Sequence, residues 1–262
     1  LLLFHLSCRS QNNQQNNKLT DSKTASKNTM QNNPQYTEGT DYMVFERIRI
    51  MDNMGFAQPV EASSVLLPKG WNKEGGIQWV YNPNSPSGNG TYSYFKAASP
   101  DNKYSLEMLP QIAWNWSSDP QLLQFMQSGN NNSPFAFIAE PMDAEHYLRN
   151  VFIHRELNGA SVQSVQSNPS VIQEMQQEFM NSRAELMMYG AADVQLYPSA
   201  ITARVSWGNG KEGIVMCGIT IIETTIMNQY TGAMQKSYTT SAARRIIFKF
   251  PSEEKQQAEN IL

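Results

Sequence analysis

The sequence predicts an α+β fold in which antiparallel sheets are flanked by helices, and three observations lead to this class. Between 42 and 116, short segments rich in aromatic and β-branched residues alternate with Gly, Pro and Asn, which is typical of antiparallel strands joined by turns. Asp119 and Asn168 each stand before a proline and apolar residues at helical spacing, a pattern that marks helix starts. The mostly apolar stretch 213–227 predicts a long buried strand.

A first unit is predicted over residues 42–157, because four of the five tryptophans lie in it, separated by turn residues. Its predicted strands cover 44–50, 59–67, 77–81, 92–97 and 104–109. The segment Ser99-Pro100-Asp101-Asn102 is predicted to join the last two strands, because Pro and Asp occupy positions that a β-turn favours. Helices are predicted after Asp119-Pro120 and Pro141-Met142-Asp143, with a short apolar strand at 135–139 between them.

A second α+β unit, packed with the first, is predicted over residues 158–262. It begins with a helix after Asn168-Pro169, whose apolar residues recur at helical spacing. Strands are predicted at 201–207, 213–227 and 242–250, and Pro251 opens a closing helix. The first of these strands alternates apolar and polar residues, as a half-buried strand does.

The first eight residues, Leu-Leu-Leu-Phe-His-Leu-Ser-Cys, form an apolar run that ends on a small residue and a cysteine. This run resembles the end of a bacterial lipoprotein signal. The resemblance implies cleavage between Ser7 and Cys8 and attachment of a lipid to Cys8, although His5 departs from the usual leucine. Because there is no initiating methionine, the chain is expected to begin inside a longer precursor. An ordinary export signal and a chance apolar start are the alternatives.

Residues 9–41 are predicted to form a disordered tether. They are rich in Asn, Gln and Ser and offer too little apolar surface to offset the entropy cost of ordering them. A polar spacer suits a position between an anchor and a folded domain, whereas a disordered terminus without an anchor is the alternative. The lipoprotein resemblance implies export to the cell envelope, either anchored to an outer membrane, which Arg9 in place of Asp favours, or periplasmic.

The bulk composition disfavours several classes of partner. Net charge is −3 and only 16% of residues are charged, so no basic field draws the chain to nucleic acid. The apolar run at 214–222 is far shorter than the roughly 20 residues that span a bilayer, so no internal membrane helix is expected. Membrane contact is expected through the lipid alone, together with a protein or glycan partner in the envelope.

The sequence shows no motif of the common catalytic or cofactor sites, such as a phosphate loop, HExxH, GxSxG or CxxC. A metal site at His146 and His154 would need Glu145 or Glu156, and charged helix faces produce such sets by chance. No catalytic residue, metal or cofactor is therefore predicted. Glu156 near His154 is the nearest hint of hydrolase chemistry. Cys217 lies within an apolar run and is expected to be a small buried hydrophobe.

Three residues are candidates for ligand contact. Trp114 and Trp116 are expected to share one face of an extended segment, because alternate residues of a strand do so. That face is either core or an exposed platform on which flat sugar rings or partner side chains stack. Asp101 is interpreted first as a turn residue bonded to its own backbone, with a contact at a pocket rim as the alternative. The other tryptophans, Trp71, Trp79 and Trp207, are expected in the core.

The motif Leu67-Pro68-Lys69-Gly70-Trp71, followed by Trp79 and Ser99-Pro100-Asp101, resembles the PsbP-like group over residues 60–155. The resemblance implies a layered arrangement around an antiparallel sheet and a structural or binding role without catalysis. The leading hypothesis is therefore a lipid-anchored envelope protein with a non-catalytic binding or scaffolding role. Glycan recognition by the tryptophans and an envelope hydrolase are the alternatives.

Overall fold

The structure is a computed structural model, and it describes residues 37–38, 41–55, 57–79, 91–129, 139–188, 191–227 and 232–262. Cys8, nearly all of the predicted tether and most of the predicted strand at 135–139 lie outside these residues. The described strands are β1 (Phe45–Asp52), β2 (Val60–Pro68), β3 (Asn72–Trp79), β4 (Thr91–Ala98), β5 (Ser105–Met108), β6 (Ile112–Ser117), β7 (Ser161–Ser167), β8 (Asp193–Ser206), β9 (Lys211–Met227) and β10 (Met234–Pro251).

The described helices lie between and after these strands. They are α1 (Pro120–Gly129), α2 (Ala144–Tyr147), a π-helical turn (Leu148–Phe152), α3 (Ile153–Arg155), α4 (Pro169–Met188), a 3-10 turn (Ser252–Glu254) and α5 (Lys255–Ile261). The predicted α+β class is confirmed, since antiparallel strands form the bulk of the described fold and helices flank them.

The centre of the fold is β10, an 18-residue strand. It pairs antiparallel with β9 along its whole length, and its other edge is shared by β5 and β6. The main sheet runs in the order β3-β4-β5-β10-β9-β8-β7, and β1 and β2 form a separate two-stranded sheet. Strands from both sides of residue 157 therefore belong to one sheet. The division into two units at that residue stays a prediction.

A β-bulge between Ala242 and Arg244 divides β10. Before the bulge, Ala242 points to the face of the sheet that carries α2, which we call the α2 face. After it, Ile247 points to that face, while Phe248 points to the opposite one, which we call the hairpin face because β1 and β2 pack there. Because of the one inserted residue, even-numbered residues point to the α2 face before the bulge and odd-numbered residues point to it after the bulge.

The α2 face is covered by α2, the π-helical turn and α3. Asp143 starts the segment, because its carboxylate accepts a hydrogen bond from the backbone N–H of His146 at 2.9 Å. Tyr147, Leu148 and Phe152 follow at helical spacing and are fully buried. They pack on a row of small and branched strand residues from β8 and β9, including Ala203, Val215, Cys217 and Ile219.

Arg245 is buried under this helical segment. Its guanidinium donates to the carbonyl of Pro110 and lies 3.6 Å from a carboxylate oxygen of Glu156 and 5.8 Å from the centre of the Phe152 ring. A buried cation of this kind is costly unless it is paired and hydrogen-bonded. The contacts therefore fix the β5–β6 junction and the end of α3 to the same point on β10.

The hairpin face is covered by β1, β2, α4 and α5. Trp71, Tyr104 and Phe248 form a three-ring stack, with centroid separations of 6.2 to 6.4 Å, a geometry that adds to their apolar burial. Gly70, directly before Trp71, has a positive φ of 83°. The Pro-Lys-Gly-Trp motif therefore makes a turn that buries the indole. Arg244 of β10 forms an ion pair with Glu178 of α4 at 2.7 Å.

Several predicted element bounds were wrong. Gly75 and Gly76 lie within β3 and not before it, and β8 starts at Asp193. Strand β10 starts at Met234, eight residues before the predicted 242. Strand β7 occupies Ser161–Ser167, where no strand is predicted. The unpredicted parts of β3, β7 and β10 are polar or glycine-rich, so their strand conformation comes from pairing with neighbours and not from local propensity.

Gly75 tests the strand pairing of β3 and β4. Its φ is +140°, and a Cβ there would lie 2.4 Å from the carbonyl oxygen of Tyr94. We expect Gly75→Ala to lower the free energy of unfolding by about 1–3 kcal/mol, because backbone strain adds to the clash. Urea unfolding measures this change.

Gly76→Ala is the matched control. A Cβ at Gly76 meets nothing within 4 Å, so this variant should stay within about 0.5 kcal/mol of the wild type. Equal loss of stability in both variants would contradict the register given for these strands.

Candidate functional site

A row of side chains crosses four neighbouring strands on the α2 face, beside the region that the helices cover. It consists of Trp116 on β6, Tyr238 on β10, Glu223 on β9 and Tyr197 on β8, and we call it the aromatic row. Trp116 pairs with Tyr238, and Tyr238 with Glu223, in direct register. Gln195 is the partner of Glu223 on β8, and Tyr197 stands two residues further along that strand, on the same face.

A buried carboxylate organises the row. Glu223 is only 6% exposed, and its carboxylate accepts hydrogen bonds from the ammonium of Lys236, at 2.7 Å, and from the hydroxyl of Tyr238. The hydrogen bond to Glu223 raises the pKa of Lys236 above its ordinary value. Burial first, and then the bond to Glu223, raises the pKa of Tyr238. Both donors therefore keep their protons near neutral pH.

The aromatic rings stand on either side of this carboxylate. The rings of Trp116 and Tyr238 are tilted by 52° with centroids 5.5 Å apart, and both residues are half-buried. Tyr197 is 46% exposed, and its hydroxyl donates to the side chain of Gln195 at 2.6 Å. Apolar ring faces with fixed polar groups between them can bind a ligand that has both flat C–H surfaces and hydroxyl groups.

The structure separates the two tryptophans that the sequence analysis paired. They share a face of β6, as predicted, but Trp114 is only 3% exposed and stacks on Tyr147 of α2 at 5.7 Å. Trp114 is therefore part of the core beneath the helical segment. Trp116 lies two residues along the strand and belongs to the aromatic row.

Asp101 lies in the turn between β4 and β5. Its carboxylate accepts hydrogen bonds from the hydroxyl of Ser99, at 2.6 Å, and from the backbone N–H of Lys103, at 3.2 Å. These bonds hold its pKa below the ordinary value, with the Ser99 bond the larger cause. Asn102 completes the turn with a φ of 58°. Asp101 makes the local contacts of a turn residue, and a role in ligand contact stays a prediction.

The expectation that Trp79 lies in the core was wrong. Trp79 is 47% exposed, because its indole lies over the loop after β1 and donates to the carboxylate of Asp52 at 2.9 Å. The same oxygen accepts the backbone N–H groups of Met54 and Gly55, each at 2.9 Å. These three bonds satisfy a buried carboxylate and hold the pKa of Asp52 below its ordinary value, with the Met54 bond the largest cause.

A concave region lies elsewhere on the α2 face, over β3, β4 and β5. It comprises two neighbouring hollows of about 340 and 350 Å³. Lys96 and Glu107 line both hollows and form an ion pair at 3.1 Å. The hollows are wide and open to solvent, and the two charges that they share pair with each other, so the aromatic row is the better defined of the two candidate sites.

Of the two histidines considered for a metal or hydrolase site, His146 lies on α2. The ring of His146 lies 3.0 Å from Asp143, the carboxylate that caps α2, and its side chain is mostly exposed. No group of three or more His, Cys, Asp or Glu side chains that could hold a metal was found among the described residues.

Comparisons of the chain with models of protein families, with curated proteins and with solved structures found no match. The resemblance to the PsbP-like group therefore stays a prediction. In the described part of the chain, no helix has both the length and the hydropathy needed to cross a membrane.

Sequence reasoning missed three members of the aromatic row. Glu223 gave a usable signal, because it is the only charged residue in the otherwise apolar and Thr-rich stretch 214–227. Tyr238 gave none, because the strand segment that carries it is polar, and the segment that carries Tyr197 was not predicted to be a strand. Their proximity to Trp116 comes from strand pairing between residues that are far apart in the chain.

Cys217 is the one cysteine among the described residues, and it is a free thiol buried on β9. This confirms the prediction of a small buried hydrophobe. Burial raises the pKa of the thiol to about 12, and the nearby charge of Arg245 opposes this rise. Since the thiolate is the reactive form, Cys217 is unsuited to nucleophilic chemistry at neutral pH.

This environment predicts the reactivity of the thiol. At pH 8, only about one Cys217 in 10⁴ is ionised, so a Cys8→Ser variant should not react with an aromatic disulfide reagent while folded. In denaturant, the thiol of the same variant should react with one equivalent of the reagent within minutes. Rapid reaction in native buffer would contradict the burial of Cys217.

Proposed function

We propose that this chain is a lipid-anchored, non-catalytic binding protein of the cell envelope. Its lipid sits on Cys8, the polar residues 9–41 act as a tether, and the folded residues are held at the outer membrane or in the periplasm. The aromatic row carries the binding role in this proposal. The row offers a ligand both apolar ring faces for stacking and fixed polar groups for hydrogen bonds.

The proposal draws on two separate features of the chain. The run that ends at Cys8 resembles a lipoprotein signal and is followed by a composition typical of a tether. The motif at Leu67-Pro68-Lys69-Gly70-Trp71 resembles a group whose members are mainly structural or binding proteins. Both features favour an exported protein that works by contact and not by catalysis.

Glycan recognition is the second candidate, and the position of Trp116 favours it. Its ring and that of Tyr238 lie together at one end of the row, and the exposed ring of Tyr197 lies at the other. Flat apolar faces of this kind stack on the C–H faces of sugar rings. The polar groups between them, Glu223 and Lys236, are of the types that bind hydroxyl groups.

Cys8 gives the direct test of membrane attachment. When the chain is expressed in bacteria with its natural N-terminal sequence, it should sediment with the membranes, and the mature N-terminus should be a diacylated or triacylated cysteine by mass spectrometry. Cys8→Ser should move nearly all of the protein to the soluble fraction or leave it uncleaved, because the acceptor thiol is lost.

Ser10→Cys in the Cys8→Ser background is the matched control, since it restores a thiol two residues away from the cleavage point. It should not restore lipid attachment. An unmodified N-terminus at any residue other than Cys8 in the wild type would overturn the anchor.

A further inference from the structure

We propose that the aromatic row binds an uncharged oligosaccharide that lies across the strands and spans more than one sugar ring. This inference rests on glycan recognition as the function of the row, and it names the charge and the length of the ligand. It follows from the geometry of the four strands and from the balance of charges around Glu223.

The length follows from strand spacing. Trp116 and Tyr197 lie on β6 and β8, which are separated by β10 and β9. Neighbouring strands are about 4.8 Å apart, so the ends of the row are separated by about 14 Å across the sheet. A single pyranose ring cannot reach both ends. A linear chain of about three rings fills this distance and can stack at both ends at once.

The charge follows from the ion pair at the centre of the row. Lys236 pairs with Glu223 at 2.7 Å, so the one acid and the one base at this centre cancel. Asp193, on the α2 face of β8, accepts a hydrogen bond from Gln195 at 2.9 Å, and Arg183 reaches it at 3.6 Å from α4, on the hairpin-face side. The row therefore offers no net charge to attract an acidic or a basic sugar.

The polar centre supplies the hydrogen bonds. The side chain of Lys236 is half exposed, and its ammonium has three donor hydrogens, one of which is used on Glu223. Gln195 is exposed and lies next to both the carboxylate and Tyr197. A hydroxyl group above this centre can accept from Lys236 and donate to the amide oxygen of Gln195. The aromatic ends thus give affinity, and the centre orients the sugar.

Calorimetric titration of the full chain tests the proposal with two probe series, β-1,4-linked glucose and β-1,4-linked N-acetylglucosamine oligosaccharides of one to six rings. In at least one series, we expect the dissociation constant to fall about tenfold or more between one ring and three, and then to level off. It should change less than about twofold between 50 and 500 mM salt, because no charge pairing is involved. An acidic comparator, oligogalacturonate, should bind at least about tenfold more weakly.

Variants locate the site. Trp116→Ala and Tyr197→Ala should each raise the dissociation constant for the three-ring probe about tenfold, with little effect on that for one ring. Tyr197 is exposed, so its variant should fold even if the Trp116 variant loses stability. Tyr42→Ala is the matched control, because Tyr42 is 48% exposed and lies outside the row. It should bind as the wild type does.

The possible failures are distinct. Binding that does not depend on length, or that favours the acidic comparator, would overturn this inference and leave glycan recognition standing. No binding in either series would overturn both the inference and glycan recognition by the row. Neither result bears on the lipid at Cys8, which the N-terminal mass decides.

Discussion

The backbone pairing of β10 is the interaction on which the rest of the structure depends. Its 18 residues pair with β9 along one edge and with β5 and β6 along the other. Strands β5 and β6 come from the N-terminal half of the described chain, and β9 comes from the C-terminal half. Every core cluster therefore includes side chains from β10. The sheet loses its continuity if this one strand is removed.

The bulge after Ala242 determines what each half of β10 does. Beyond it, Arg245 turns to the α2 face and fixes the β5–β6 junction, while Phe248 and Phe250 turn to the hairpin face and its ring stack. Before it, Tyr238 and Thr240 occupy the α2 face, and the helical segment reaches only as far as Trp114. The same strand thus builds the core at one end and the candidate site at the other.

Much of the fold could be predicted from local signals. Asp119 and Asp143 marked helix starts, and both cap their helices. The stretch at 213–227 was long and apolar enough to be recognised as a strand. The first half of β10 gave no such signal, because Met234 to Ser241 carries Lys, Ser and Thr, whose strand conformation depends on two partner strands. Trp79 was misplaced because its partner, Asp52, lies 27 residues earlier in the chain.

The candidate site was harder to predict for the same reason. Trp116 was identified because a tryptophan ring is itself a candidate for stacking on a ligand. That Trp114 lies in the core while Trp116 belongs to the aromatic row depends on the position of α2. Glu223 could be recognised as unusual within its strand. The role of Glu223 in the site depends on Lys236 and Tyr238, and only the β9–β10 register places these two residues beside it. Sequence patterns thus identified elements and some chemistry, and strand pairing between distant segments determined the site.

Hydrogen exchange under increasing denaturant measures the central claim, that β10 joins both halves of the chain into one cooperative sheet. We expect backbone amides in β5 and β6 and those in β8 and β9 to lose protection with the same free energy and the same dependence on denaturant. If amides of β5 and β6 exchange through an opening that leaves β8 to β10 fully protected, the two halves unfold separately and the claim is wrong.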